Sequence, residues 1–116
     1  MGRRDHRSMS DMRRRVPWPF PGDGFPTDLG AVVQRTVLDG ALPALTVAHS
    51  EDGDWMVGDG VNDPNEPGAT VATHISHVVE RDQSVAALAS LPPGKQADRD
   101  APGGAWVVSD FAYEDD

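Results

Sequence analysis

Residues Glu51 to Arg99 read EDGDWMVGDGVNDPNEPGATVATHISHVVERDQSVAALASLPPGKQADR, and the order of elements in this stretch decides the fold. Ser50-Glu51-Asp52-Gly53-Asp54 is a string of turn formers that leads into Trp55-Met56-Val57, a short run of strand-forming side chains. Gly58 to Pro67, GDGVNDPNEP, is Gly, Asn, Asp and Pro almost throughout and reads as a loop. In Val71–Arg81, Val71, Ile75, Val78 and Val79 recur at helical spacing, with Thr70 as N-cap, while the β-branched content leaves strand as the alternative. Asp82 or Ser84 caps a second helix carrying Val85, Ala86, Ala87, Leu88 and Leu91, and Pro92-Pro93-Gly94 stops it.

Upstream, Ala31-Val32-Val33 and Thr36-Val37-Leu38 read as β-branched strand segments ending at the turn pair Asp39-Gly40. Helix competes over Leu29–Leu38, because Leu29, Val32, Val33, Thr36 and Val37 also fit its period. Leu42–Ala48 comes next as a strand with Pro43 near its start, where a missing donor is tolerated. Val16–Pro26, VPWPFPGDGFP, has four prolines that oppose helix and central strand, so it is expected as an extended strap docking Trp18, Phe20 and Phe25 on the domain. Downstream, Lys95–Gly104 reads as polar turn and Ala105–Val108 as a last strand, with Phe111 and Tyr113 after it. The predicted class is α+β: a small antiparallel sheet of about four strands with two short helices packed on it. One domain over 16–113 lies between a basic arm, 1–15, and an acidic tail, 114–116.

A chain of 116 residues is one domain, long enough to bury roughly two-thirds of its unfolded surface. It has no cysteine, which excludes disulfides, zinc–thiolate sites and a thiol nucleophile. No apolar run succeeds the N-terminal arginines and none approaches the roughly 20 residues of a membrane span, so a cytoplasmic protein without membrane contact is expected. Charge is divided sharply. Residues 1–15 hold six Arg against Asp5 and Asp11, while residues 16–116 hold Arg35, Arg81, Lys95 and Arg99 against seventeen acids, giving +4 and −13, which sum to −9. A body this acidic repels nucleic acid and attracts basic partners. The arm could touch phosphate through Arg13, Arg14 and Arg15, but a solvated tail is the simpler reading. Met9 and Met12 stand beside Met1 as alternative starts.

Three constellations invite a chemistry. Gly58–Asp63, GDGVND, matches a string of P-type ATPases and related aspartate-phosphorylating enzymes, where its acids help hold magnesium. That chemistry also needs an aspartate nucleophile in a DKTGT-type motif and a larger parallel-sheet fold, and both are missing. Counted as a calcium loop from Asp59, the third position is Val61, which breaks the alternation of oxygen ligands. His74, His77 and Glu80 fall at i, i+3 and i+6 if Val71–Arg81 is helical, the one pattern with metal-like spacing. Ser84 has no histidine–acid relay at a recognisable spacing.

Asp54-Trp55-Met56, Gly58-Asp59, the loop with Asn62 and Asn65, Arg81-Asp82-Gln83-Ser84-Val85, Leu91-Pro92-Pro93-Gly94 and Trp106-Val107 occur in an order that resembles the bacterial immunity protein 33-like domain (domain of unknown function 2185). Members of that family run a Gly-Trp strand into an acidic Gly-Asp-Glu turn. An Asp-Pro-Ser-like helix start, a Pro-x-Gly motif and a final Trp strand come after it. The resemblance covers about Ala31 to Val108. This chain departs from it at Asp54 in place of Gly, Gly60 in place of a second acid and Gln83 in place of Pro. The resemblance implies a small α+β domain, with some members serving as antidotes in toxin systems, and supplies no catalytic residues.

Together these features point to a binding module without a cofactor, contacting a basic protein such as a toxin domain through Asp52, Asp54, Trp55, Asp59, Asp63 and Glu66. The alternative is a small metal-dependent enzyme or metal-binding protein using His74, His77 and Glu80.

Overall fold

The computed structural model describes residues 18–20 and 24–111. Its centre is a sheet of six strands: β1 (Gly30–Gln34), β2 (Thr46–His49), β3 (Trp55–Gly58), β4 (Thr70–His74), β5 (Lys95–Asp98) and β6 (Val107–Asp110). Their spatial order is β4-β1-β3-β2-β5-β6. β1 and β3 run parallel and all other neighbours antiparallel, so the sheet is mixed and larger than the antiparallel four strands expected. Two short helices, α1 (Arg35–Leu38) and α2 (Ser76–Arg81), accompany the sheet, and a 3₁₀ helix over Gln83–Ser90 follows α2.

Two segments that satisfied both helix and strand spacing turn out to contain one of each. Leu29–Leu38 is strand through Gln34 and helix from Arg35, so Thr36-Val37-Leu38 is not a strand. Val71–Arg81 is strand through His74 and helix from Ser76, so its first half does not join a helix. In each, β-branched residues at the start find a partner strand: Val33 pairs with Val71 and Ala31 with Thr73. The largest correction is β5. Lys95-Gln96-Ala97-Asp98 reads as polar loop because only Ala97 is apolar, yet it lies between β2 and β6 with Ala97 fully buried.

A row of registered residues runs across the whole sheet: Val71, Val33, Val57, Val47, Ala97 and Val108. Its interior members carry the core, together with Leu29, Ile75, Val78, Val85, Leu88 and Leu91 from the segments packed on that face. Asp82 caps the 3₁₀ helix by accepting from the Ser84 N–H, one of the two caps the sequence offers. The described parts of the strap place Trp18, Phe20 and Phe25 against this core. The remaining strap residues, the basic arm, Tyr113 and the acidic tail lie outside the described residues. Among the described residues, no helix is long and apolar enough to cross a membrane.

At one end of the core, His49 stacks on Trp55 with ring centroids 3.9 Å apart, and Trp18 meets His49 edge-on at 6.0 Å. The indole N–H of Trp18 donates to the Ala89 carbonyl, and Phe25 meets the Trp55 ring edge-on at 4.9 Å. His49 Nδ1 lies 2.7 Å from the Leu91 carbonyl, an acceptor only, so Nδ1 carries the proton. Burial lowers the His49 pKa, and the bond to Leu91 offsets this only in part. The unfolded chain therefore takes up a proton near 6.5 that the folded chain resists. Stability is expected to be full above that value and to fall as pH drops through it. Urea unfolding on either side of 6.5 should show the loss in the native chain and a smaller one in His49→Phe.

Candidate functional site

The Gly58–Asp63 string is held by one buried carboxylate. Asp59 Oδ1 accepts from the backbone N–H groups of Val61 and Asn62, each at 2.8 Å. Oδ2 accepts from Thr36 Oγ1 at 2.5 Å and Asn62 Nδ2 at 2.9 Å. Gln34 closes the network from the end of β1: its Oε1 accepts from the Asp59 N–H and its Nε2 donates to the Asn62 carbonyl. Gly58 makes this approach feasible, because a Cβ there would stand 2.8 Å from Gln34 Oε1 and 3.1 Å from Thr46 Cγ2.

Burial pushes the Asp59 carboxyl up, and the bonds from Thr36, Asn62 and Val61 outweigh it, holding the group at about 2. Both oxygens are committed within the chain, so this acid is a structural brace and is not placed as a magnesium ligand. Further along the loop, Asp63 Oδ1 accepts from the Asn65 N–H, and the Arg35 Nε donates to the Gly68 carbonyl. Val61, beside the braced acid, stands 74% exposed.

A second network surrounds Arg99, whose side chain is fully buried. Its Nε and one terminal nitrogen donate to the Ala44 carbonyl, the same terminal nitrogen reaches Asp82 Oδ2 at 2.6 Å, and the other donates to Ser84 Oγ at 2.7 Å. The guanidinium lies 4.1 Å above the Trp106 ring. Ser84 Oγ in turn donates to Asp82 Oδ1. Burial raises the Asp82 carboxyl, while the Ser84 hydroxyl and Arg99 lower it further, so the net direction is down. This hydroxyl is a clamp between an acid and an arginine, with no histidine beside it in the network.

The six expected contact residues do not form one face. Trp55 and Asp59 are buried and present nothing to a partner: Trp55 belongs to the core and Asp59 to the brace. Asp52 is exposed and Asp54 half-buried in the turn before β3, where the Asp54 N–H donates to Ser50 Oγ. Asp63 and Glu66 are exposed in the loop after β3. The two pairs therefore stand at opposite ends of a four-residue strand, about 13 Å long at the usual rise.

The change from strand to helix breaks the expected i, i+3, i+6 spacing of His74, His77 and Glu80. His74 closes β4, whereas His77 and Glu80 sit on α2. The two imidazoles stack with centroids 6.0 Å apart, and His77 Nδ1 is 3.9 Å from Glu80 Oε1. Among the described residues, no three His, Cys, Asp or Glu side chains are grouped so as to hold a metal ion. His77 and Glu80 instead border a solvent-open cleft of about 460 Å³ with Leu38, Thr73 and Arg81. Gln34, Thr36 and Arg99 carry the polar architecture, and sequence reasoning does not single them out for it. The one available signal is a glutamine closing the run Ala31-Val32-Val33, a polar residue where a buried strand asks for a partner.

Comparison with known proteins finds no matching family model, no similar curated protein and no similar solved structure.

The brace has a measurable signature. Asp59→Asn is expected to lower stability by about 2 kcal/mol near neutral pH, the value of a carboxyl held at about 2 against 3.8 in the unfolded chain. Because the folded value is the lower one, this contribution is present above 3.8 and lost as pH falls toward 2, so native and variant stabilities should converge in acid. Denaturant midpoints measured across that range check it.

Proposed function

We propose that this chain is a non-catalytic binding module for a basic protein surface, acting as an antidote that covers the positive site of a toxin domain. The observation that carries the proposal is the acidic loops gathered at one end of the sheet; Glu51, Asp52 and Asp54 add acids at the other. β1, β3 and β5 finish at the first of these ends and β2, β4 and β6 begin there, so the connections 35–45, 59–69 and 99–106 are gathered together. They bring Asp39, Asp63, Glu66 and Asp100 to the surface, with half-buried Asp98 beside them, against Arg35 and the Arg81 guanidinium near Gly40. Arg99, at the same end, is consumed by Asp82.

The brace at Asp59 adds a second support. A loop whose backbone is already fixed loses little freedom on docking, so more of the contact energy remains as affinity. Acidic side chains on such a loop accelerate encounter with a positive partner and penalise a negative one. Toxin domains that bind nucleic acid need positive sites, and an acidic cover suits them. The resemblance carried by Trp55, Asp59, Asp82, Pro92 and Gly94 points to the same biological class.

Immobilised protein incubated with lysate at low ionic strength is expected to retain a basic partner and to release it as salt is raised. Titration of that partner should then lose about tenfold or more in affinity with Asp63→Lys and Glu66→Lys together, and little with Asp52→Lys at the far end of β3. Absence of any saturable, salt-sensitive partner, or equal losses at both ends, would overturn the proposal.

A further inference from the structure

We propose that β6 is a self-pairing edge: two copies of this chain join antiparallel through Val108, extending the sheet across a two-fold axis. Among the described residues β6 is last in the strand order, and all four of its residues are exposed, Val107 by 66% and Val108 by 53%. Only Val61 joins them as an exposed large hydrophobic among the described residues. The other edge strand, β4, is half-buried along its whole length. Soluble proteins guard an outer strand with charge, proline or a bulge. Trp106-Val107-Val108-Ser109 has neither charge nor proline, and its register with β5 runs without interruption.

The direction of the backbone groups is fixed by the ladder. The Ser50 N–H donates to Asp54 O on the β3 side, and the Arg99 N–H donates to Leu45 O between β2 and β5. Hydrogen bonding alternates along an antiparallel strand, so Gln96 and Asp98 bond toward β6, with Ser109 and Val107 as their partners. The Phe111 N–H donating to Gly94 O keeps the same alternation. Val108 therefore aims its N–H and C=O outward, and two Val108 residues facing each other form one hydrogen-bonded pair.

Charge selects this edge as the place where copies with a net charge of −9 can meet. Its one ionised residue, Asp110, is paired with Lys95. With Val108 opposite Val108, Val107 faces Ser109 and Trp106 faces Asp110, so over residues 106–110 no like charges oppose each other. The registered row Val71–Val33–Val57–Val47–Ala97 ends on Val108, and this pairing carries the row into the second copy. Strands of four residues bury less than the roughly 1,200 Å² of a stable interface, so the dimer is weak and dependent on concentration.

Sedimentation equilibrium of the full chain is expected to show the 12.4 kDa monomer at low concentration and a rise toward twice that mass as concentration increases. Added salt should strengthen the dimer by screening the repulsion, the opposite of its effect on a basic partner, so this proposal and the binding proposal fail separately. Val108→Pro removes the outward N–H without breaking a bond to β5, and is expected to abolish the dimer with the circular dichroism unchanged. Should it not fold, Val107→Lys with Val108→Lys tests the same edge through exposed side chains. Val61→Lys should leave association intact. A monomer at every concentration and salt, or a dimer indifferent to Val108→Pro or to the paired lysines, overturns the proposal.

Discussion

The buried carboxylate of Asp59 is the fixed point from which the neighbouring segments take their positions. It sits where β3 ends and the chain must turn back past the end of β1 to enter β4. Without a partner, an ionised acid at zero exposure would be strongly destabilising. Four accepted hydrogen bonds reverse that cost and fix three segments at once: the helix start at Thr36, the loop at Val61 and Asn62, and, through Gln34, the end of the parallel pair β1–β3. The acids beyond it, Asp63 and Glu66, remain at the surface because Asp59 is turned inward. Residues of one type in one short loop thus do opposite work, and burial alone separates them.

Arg99 repeats the logic with the opposite sign. A guanidinium with no exposed side-chain surface is tolerated because Asp82, Ser84 and the Ala44 carbonyl take its donors and Trp106 covers its face. It also ties the 3₁₀ helix to the connection after β5. A lysine there would keep the charge but could not occupy these acceptors in one plane. Through this pairing the acidic end of the sheet loses an accessible cation.

Much of the architecture was legible where local chemistry and tertiary context agree. Trp55-Met56-Val57 forms a strand, Asp82 caps the 3₁₀ helix, and Pro92-Pro93 ends that segment as the residues indicate. Legibility failed where a decisive partner lies far along the chain. Val71–Arg81 satisfies helical spacing throughout, and only its pairing with Gly30–Gln34 turns its first residues into strand. Lys95–Asp98 carries no apolar pattern because a single alanine suffices to fill its share of the core. The candidate site was legible as composition but not as geometry. Six residues close in sequence divide between the core, the brace and two opposite ends of β3. His74 and His77 fall on different elements, the first closing β4 and the second on α2, although their rings still stack.

Gly58–Asp63 is thus an internally satisfied brace whose acid is committed to the fold. The decisive measurement is the carboxyl carbon chemical shift of Asp59, followed by NMR through an acid titration. A midpoint of about 2 is expected, with the Val61 and Asn62 amide signals moving at that same midpoint and no response to magnesium at neutral pH. A midpoint near the ordinary 3.8, or amide signals that shift when magnesium is added, would contradict it.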